Sequence, residues 1–329
     1  MIAAKASPES LPPVTPASLL ASVQDDNTPG FSGTIVAQMS LGLPSLPGVT
    51  NSASESSMPA LLAGSHTLRL WYGGPDRQRV ALLGTVDETD VFHSGTTVWQ
   101  WDSSTHTATR GQLPTMHDAP AVPTVPTGLA SLTPQQLASS ALAAMNPSTV
   151  VTMAGNRVIA DRSAYVVVLT PRDAASRVGS VHIAVDGSTK VPLGVQVFAR
   201  GSSSAAIDIA FSDVTFRSPA ASNFSFTPPP GAIVHNGFAS TSSPEIGTAT
   251  GPTVIGSGWS SVVEYRTTPG QVTSLGTQTL HALTRVSGPW GQGRLLDSAL
   301  VSVLVTDDGR VFAGAVDPDV LYRAAAQHR

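Results

Sequence analysis

The sequence predicts an α+β fold made of antiparallel β-meanders with a few short helices. The 329 residues include 29 Gly and 26 Pro but only 12% charged residues, a turn-rich composition that favours many short strands. Short runs of alternating apolar and polar residues are separated by such turns, and few segments show helical spacing. The length is about twice the ~150-residue prior for one domain, so we expect a large domain plus a smaller one.

The first meander is predicted over residues 65–102. The runs SHTLRLWYGG, RQRVALLGTV and TDVFHSGTTVWQWD alternate in polarity and are joined by Gly-containing turns. Leu68 and Leu70 share one face of their strand, and Trp99 and Trp101 share one face of theirs. Because one face of such a sheet usually meets a core, we expect these residues to contribute to a broad apolar surface.

Helices are predicted before and between the meanders. Thr15-Pro16 marks the start of a helix over residues 16–24, and Thr133-Pro134 the start of an amphipathic helix over 133–146. The apolar stripe of the second helix either packs against the sheet or lines a space that the sheet encloses. A second meander follows, in the runs RVIADRSAYVVVLTP, SVHIAVDGSTKVPLGVQVFAR and AAIDIAFSDVTF.

The chain is predicted to divide into four parts. Residues 1–14 are expected to be a flexible lead-in, 15–234 the main domain, 235–252 a Ser/Thr/Gly-rich linker, and 253–329 a small αβ region. In the last part we expect a strand in GSGWSSVVEYR, a helix over 272–286, a hairpin across Asp307–Gly309 and a final helix after Asp317-Pro318.

Several function classes lack their sequence signals. A net charge of −4 gives no basic stripe, so we expect no nucleic-acid partner. Cysteine is absent, and none of the eight histidines pairs at i, i+4 spacing, so we expect no metal site of those kinds. No G-x-S-x-G elbow or P-loop occurs, and we expect neither catalysis nor a cofactor. Arg69, Arg77 and Arg79 surround one hairpin, where they either meet an anionic headgroup or are simply solvated.

Several motifs, taken in order, resemble a known group of envelope proteins. GFSGTIVAQ resembles the opening strand of the RseB/MucB-type periplasmic regulators. LRLWYGGPDRQRVALLG and DVFHSGTTVWQWD resemble the paired hairpins of that family and of the LolA lipoprotein carriers. FSDVTFRSPAASNFSFTPPPGAIV resembles the end of a LolA-like domain, which closes on F-x-x-x-P-P-x-G, and the most specific part of this run is FTPPPG at 226–231. The resemblance covers residues 17–234, and the whole chain is most similar to LolA/RseB-like proteins of actinobacteria.

The resemblance implies a LolA-like incomplete, half-open antiparallel β-barrel with a helical lid, followed by a small C-terminal α/β segment. It implies a non-enzymatic carrier or sensor outside the cytoplasmic membrane, with a lipid or lipoprotein acyl chain in an apolar cavity. Anchoring or secretion through an N-terminal segment missing from this chain is expected. The residues expected to line the cavity, or alternatively to interlock as a filled core, are Leu68, Leu70, Val80, Leu82, Trp99, Trp101, Leu142, Val166, Val168, Val197 and Phe211.

A second reading of the resemblance is an RseB-like regulatory module that binds a membrane-bound anti-sigma factor or another envelope protein. One departure from the carrier pattern bears on this choice. Where LolA carriers have an arginine before a proline, this chain has Gly74-Pro75. The polar contact that closes the lid of those carriers therefore does not transfer to this chain.

Overall fold

The computed structural model describes residues 11–23, 28–43, 61, 63–112, 133–135, 138, 149–237, 252–266 and 282–327. These residues form a 12-stranded sheet and a 6-stranded sheet. The helices are α1 (Pro16–Val23) and α2 (Pro318–Gln327). The strands of the large sheet are β1 (Phe31–Met39), β2 (Gly64–Tyr72), β3 (Arg77–Leu83), β4 (Glu88–Ser94), β5 (Thr97–Asp102), β6 (Thr107–Gln112), β7 (Thr149–Ile159), β8 (Arg162–Pro171), β9 (Val178–Asp186), β10 (Pro192–Ala199), β11 (Ala205–Thr215) and β12 (Ile233–Asn236). Those of the second sheet are β13 (Thr253–Ile255), β14 (Val262–Arg266), β15 (Thr284–Gly288), β16 (Gly291–Asp297), β17 (Ser302–Thr306) and β18 (Arg310–Gly314).

The large sheet joins the two predicted meanders through β1. Its strand order is β12-β6-β5-β4-β3-β2-β1-β11-β10-β9-β8-β7, with β1 antiparallel to both β2 and β11. The short β12 lies parallel to β6 at one edge, and β7 forms the other edge. Because these two edge strands are not paired with each other, the sheet is not closed into a barrel. The expected mostly antiparallel, incompletely closed sheet is confirmed, whereas a helical lid stays a prediction.

Both described helices begin at the predicted caps. The Ser18 amide donates to the Thr15 side-chain oxygen at 3.2 Å, which satisfies one of the free amides of the first turn of α1. Helix α2 begins at Pro318, a residue that has no amide hydrogen to satisfy there. At its other end, the Arg310 guanidinium donates to the Ala325 carbonyl at 2.9 Å, a favourable position for a cation next to a helix C-terminus.

The described side chains pack into four apolar clusters. The largest lies on β1–β3 and β11 and extends to the second meander, while another covers β7–β10 and includes Leu19 of α1, Ala138 and Leu300. The second sheet packs one face against α2, around Phe312 and Leu321. A small fourth cluster lies on β4–β6 around Trp101. The main sheet therefore buries apolar side chains on both of its faces.

Three segments differ locally from the sequence-based expectation, whereas the division of the chain into domains stays a prediction. The helix expected over 272–286 is wrong at its described end, because residues 284–288 form β15 and pair with β16. Residues 272–281 lie outside the described part. Strand β12 continues to Asn236, past the expected domain end at 234. In the expected lead-in, Leu11 and Val14 pack against the core, and the Pro12 carbonyl accepts a hydrogen bond from the Tyr165 hydroxyl at 2.7 Å.

The two sheets are joined by a polar junction around Arg177. Its guanidinium is 2.6 Å from the Asp297 carboxylate and 3.2 Å from that of Asp317, and it also donates to the Ser298 carbonyl. On the other side of the junction, the Trp259 indole N–H donates to the Thr149 hydroxyl at 2.8 Å. These contacts attach the second sheet to the second meander of the large one.

Candidate functional site

The strand register brings the predicted aliphatic residues of the first meander onto one face. Residues directly opposite each other in an antiparallel pair point to the same side. Ile35 of β1 lies opposite both Leu68 and Phe211. Leu68 in turn lies opposite Leu82. We define the aliphatic face by the side chains that this register places together: Ile35, Ala37, Leu68, Leu70, Val80, Leu82, Ile209 and Phe211. Each of them is at most 4% exposed.

The two tryptophans lie on the opposite face. Trp99 is opposite Phe92, and Phe92 is opposite Arg79, which alternates along β3 with Val80 of the aliphatic face. Trp101 shares the side of Trp99. The expectation that the tryptophans add to the apolar surface of Leu68 and Leu70 is therefore wrong. The physical reason is that β3 is buried on both faces. Large apolar side chains therefore lie on the Val80 side of β2 and β3, but on the Arg79 side of β4 and β5.

The tryptophans form a pocket that is filled by the FTPPPG motif. We define the aromatic pocket as Phe92, Trp99, Trp101 and Ala108, which cluster on β4–β6. The ring centroid of Phe226 lies 4.8 Å from that of Phe92, 5.5 Å from that of Trp99 and 5.9 Å from that of Trp101. These separations are typical of favourable aromatic pairs. Trp99 and Trp101 thus hold a segment of the same chain.

An arginine next to the aromatic pocket is part of the packing. The Arg79 guanidinium lies 4.5 Å from the Trp71 ring centroid and 4.6 Å from that of Phe92. It also pairs at 2.8 Å with Asp90, which is 1% exposed. Burial raises the pKa of Asp90, and the opposing effect of Arg79 is smaller. Of the three arginines around this hairpin, Arg79 therefore already has a carboxylate partner.

The remaining predicted lining residues lie in the second meander and are divided between two clusters. Val197 lies opposite Ile207 and packs in the cluster that includes α1. By register Val197 is on the same side of the sheet as Ile207 and Ile209, whereas Val166 and Val168 point to the other side and pack in the largest cluster. Leu142 lies outside the described residues. Ligand contact by any of the predicted residues stays a prediction.

A small pocket lies beside Val166. Its apolar part includes Ala184, Gly194 and Ala210, and its volume is about 10 Å³. That is roughly the room one water molecule needs, so an acyl chain does not fit there. On its polar side, Arg157 donates to Gln196 at 2.7 Å, and Gln196 donates to Asp208 at 2.7 Å.

His182 also borders this small pocket. Burial, and after it the positive charge of Arg157, lowers the pKa of His182. The ring packs against that of Phe198 in a tilted arrangement, with centroids 4.7 Å apart. These contacts favour a neutral imidazole within the packing of the sheet.

The second sheet carries a more open and more polar groove. The groove has a volume of about 550 Å³ and is lined by Arg285, Val286, Ser287, Gln292, Gly293, Arg294 and Asp307. Arg285 and Arg294 lie directly opposite each other on β15 and β16. Two arginines at opposite positions of neighbouring strands suit carboxylate or other anionic groups of a partner better than a hydrocarbon tail.

Two further features are absent from the described part of the chain. Within it, no group of three or more His, Asp or Glu side chains is arranged to hold a metal ion. None of its helices is both long and apolar enough to cross a membrane.

Comparisons with known proteins found likeness only among solved structures. No family model matches the chain, and no curated protein matches it. The MucA/MucB complex of Pseudomonas aeruginosa contains a chain that is 16% identical, with a TM-score of 0.49 over 94% of this chain and 95% of that one. A LolA superfamily protein from Nitrosomonas europaea is 12% identical, with a TM-score of 0.25 over 65% and 99%.

A putative outer membrane lipoprotein-sorting protein domain from Vibrio parahaemolyticus is 11% identical, with a TM-score of 0.24 over 63% of this chain and 93% of that one. The chain is thus similar to solved structures of the MucB and LolA groups, the groups that its sequence motifs resemble. They concern the fold, and the function is argued below from the contacts of this chain.

Proposed function

We propose that the chain is a non-enzymatic binding protein of the cell envelope that holds an acyl chain of a lipid or lipoprotein against its aliphatic face. The observation that carries this proposal is the extent of that face, which crosses four adjacent strands with eight apolar side chains that are each at most 4% exposed. Within the described residues, the buried members of its cluster outside strands are Leu61 and Val191. Strands thus provide most of the buried residues of this cluster.

Binding requires the aliphatic face to be uncovered, because each of its members is at most 4% exposed in this structure. Fully burying one leucine or valine contributes about 1.5–3 kcal/mol, so displacing Leu61 and Val191 costs about 3–6 kcal/mol. Each methylene of an acyl chain contributes about 0.8 kcal/mol when buried. About eight methylenes therefore offset the loss, and a chain of ordinary lipid length exceeds it.

The proposal is tested first by mass spectrometry of organic extracts of the purified protein. We expect a co-purified acyl species near one equivalent, and saturable binding of a fluorescent fatty acid by the delipidated protein. The variant Leu70→Phe enlarges a side chain on the aliphatic face and should weaken this binding at least tenfold. Leu304→Phe is the matched control, because Leu304 is equally buried but packs in the second sheet, and it should leave the affinity within twofold.

Two results would contradict acyl binding. One is a clean extract together with no saturable binding by wild type. The other is an equal loss of affinity in both variants, provided that circular dichroism shows both to be folded.

A second candidate function is regulatory binding of a membrane-bound protein such as an anti-sigma factor. The polar groove with Arg285 and Arg294 favours it, because such a groove suits acidic side chains of a protein partner. The test is capture of one membrane protein that wild type retains and Arg285→Glu loses, with binding altered by added lipid. Arg172→Glu, an exposed arginine elsewhere, is the control. Equal capture by both variants would count against the groove.

A further inference from the structure

The segment from Phe224 to Gly237, here called the strap, crosses the aromatic pocket and joins the edge of the large sheet. It follows a single turn of 3₁₀ helix at Ala221–Phe224 and ends in β12. The Ile233 amide donates to the His106 carbonyl at 2.9 Å, and the Gly237 amide donates to that of Arg110 at 2.7 Å. Of the described strand pairs in this sheet, β12–β6 is parallel, and the others are antiparallel.

The strap is attached by few side chains. All four residues of β12 are exposed, with Ile233 at 56% and Val234 at 46%, so this strand is bound through its backbone. Phe226 in the aromatic pocket and Phe224, which is 3% exposed, are its aromatic anchors. Backbone pairing accepts any extended segment, whereas a pocket for one side chain selects among them. The strap therefore has the two components of a strand-addition site.

The contacts of the strap define the chemistry of a segment that could replace it. The pocket accepts an aromatic ring, and Pro228–Pro230 continue the strap as an intrinsically stiff, extended run. At the far end, Asn236 lies opposite the exposed Arg110. In a segment that replaces the strap, an acidic residue at the position of Asn236 would thus lie opposite the Arg110 guanidinium.

We propose that the aromatic pocket and the edge of β6 form an acceptor site for an extended segment of a partner protein. That segment carries an aromatic residue followed by prolines and, ten residues after the aromatic, an acidic residue. The strap occupies the site in cis. Because a tethered segment acts at an effective concentration on the order of millimolar, a free segment competes poorly until the strap is loosened.

The experiment uses the full chain with Phe226→Ala, which empties the pocket, and a synthetic peptide of residues 224–237. We expect saturable 1:1 binding, followed by tryptophan fluorescence and calorimetry. Wild type should bind the peptide at least tenfold more weakly, because its own strap competes. A peptide with Ala at the Phe226 position should lose at least tenfold in affinity, and one with Asp at the Asn236 position should gain affinity at low salt.

Phe198→Ala is the matched control, since it removes a half-buried phenylalanine that lies on β10 and leaves the strap unchanged. Phe198→Ala should bind the peptide as weakly as wild type does. If Phe226→Ala fails to fold, Phe226→Leu keeps an apolar anchor and should bind the peptide with intermediate affinity.

Three results would overturn the proposal. They are a folded Phe226→Ala chain that binds no peptide, equal affinity for the Phe and Ala peptides, and a wild-type dimer that exchanges straps. The last would identify a second copy of the chain as the occupant.

Discussion

Replacing Asp186 by asparagine is expected to lower the free energy of unfolding by about 2–3 kcal/mol at neutral pH. Asp186 is 1% exposed and accepts two hydrogen bonds from Arg162, at 2.5 and 2.9 Å. It also accepts hydrogen bonds from the Ser188 amide and from the amide and hydroxyl of Thr189. One carboxylate thus orders the β9–β10 turn and neutralises a cation on β8.

The magnitude follows from the burial of the two partners. Removing one member of a fully buried ion pair costs about 3–5 kcal/mol, because the other charge is left without a partner. The Arg162 side chain is 31% exposed, so water recovers part of that cost. The carboxamide oxygen of the substituted asparagine would keep an acceptor for some of the turn amides. These two effects reduce the expected loss to about 2–3 kcal/mol.

The loss should depend on pH with a defined sign. Burial alone would raise the pKa of Asp186, but the hydrogen bonds from Arg162 and Thr189 outweigh it and lower the pKa below its ordinary value. For a lowered pKa, the stabilisation is present above the unfolded value of about 3.9 and is lost as pH falls through the folded value. The free energy of unfolding of wild type should exceed that of Asp186→Asn by a constant amount from pH 8 to about 5. This excess should shrink below about pH 4.

The assay is urea unfolding followed by tryptophan fluorescence between about pH 8 and pH 3. Asp213→Asn, at an exposed position, is the control and should change stability by less than about 0.5 kcal/mol. The reasoning would be refuted if Asp186→Asn were as stable as wild type at neutral pH. It would also be refuted if the loss of stability in Asp186→Asn stayed unchanged at the acid end of the series. Asp90 gives a contrast, because burial outweighs its single arginine partner and raises its pKa. Asp90→Asn should cost less than Asp186→Asn.

Two further predictions concern close packing and the junction between the sheets. Gly33→Ala places a Cβ 2.8 Å from the Phe211 ring, so it should lower stability by about 1–3 kcal/mol in thermal melts. Gly155→Ala is the control, because its Cβ meets nothing within 4 Å, and it should change stability little. Equal effects of the two substitutions would contradict the packing argument. Arg177→Met removes the ion pairs to Asp297 and Asp317, so amide exchange should accelerate in β17 and β18 and stay unchanged in β8. Arg172→Met is the control for the second prediction, and acceleration spread evenly over the chain would contradict it.

Local sequence signals predicted most of the elements but could not assign them to faces. Alternation in TLRLWY and TVWQWD predicts strands and shows which neighbours share a side within each strand. The relation between Leu68 and Trp99 depends on the pairings across three hairpins, and each register step decides the side. Val80, Ala81 and Leu82 are all buried, so β3 breaks the simple alternation between core and solvent. Neither the sequence of β2, which contains Leu68, nor that of β5, which contains Trp99, indicates whether the two residues share a face.

The role of the FTPPPG segment was also out of reach of pattern reasoning. Proline and glycine in this segment predict the end of a meander, and the few residues of AIVHN are too short to stand out as a strand. Strand β12 forms because the edge of β6 offers backbone groups for pairing and because Phe226, a few residues before it, is held in the aromatic pocket. Both causes are long-range, since the pocket residues lie on β4–β6, far earlier in the chain than the strap.

The two apolar surfaces therefore have different consequences for function. Trp99 and Trp101 pack against the strap, so the proposed acyl ligand would use the aliphatic face, whose side chains lie on strands. An extended peptide, by contrast, needs free backbone groups, and these are found at a sheet edge rather than on a face. A variant that opens one surface should thus leave binding at the other unchanged. Leu70→Phe should weaken fatty-acid binding without affecting the strap peptide, and Phe226→Ala should alter peptide binding without affecting the fatty acid; a change in both activities in either variant would mean that the surfaces are coupled.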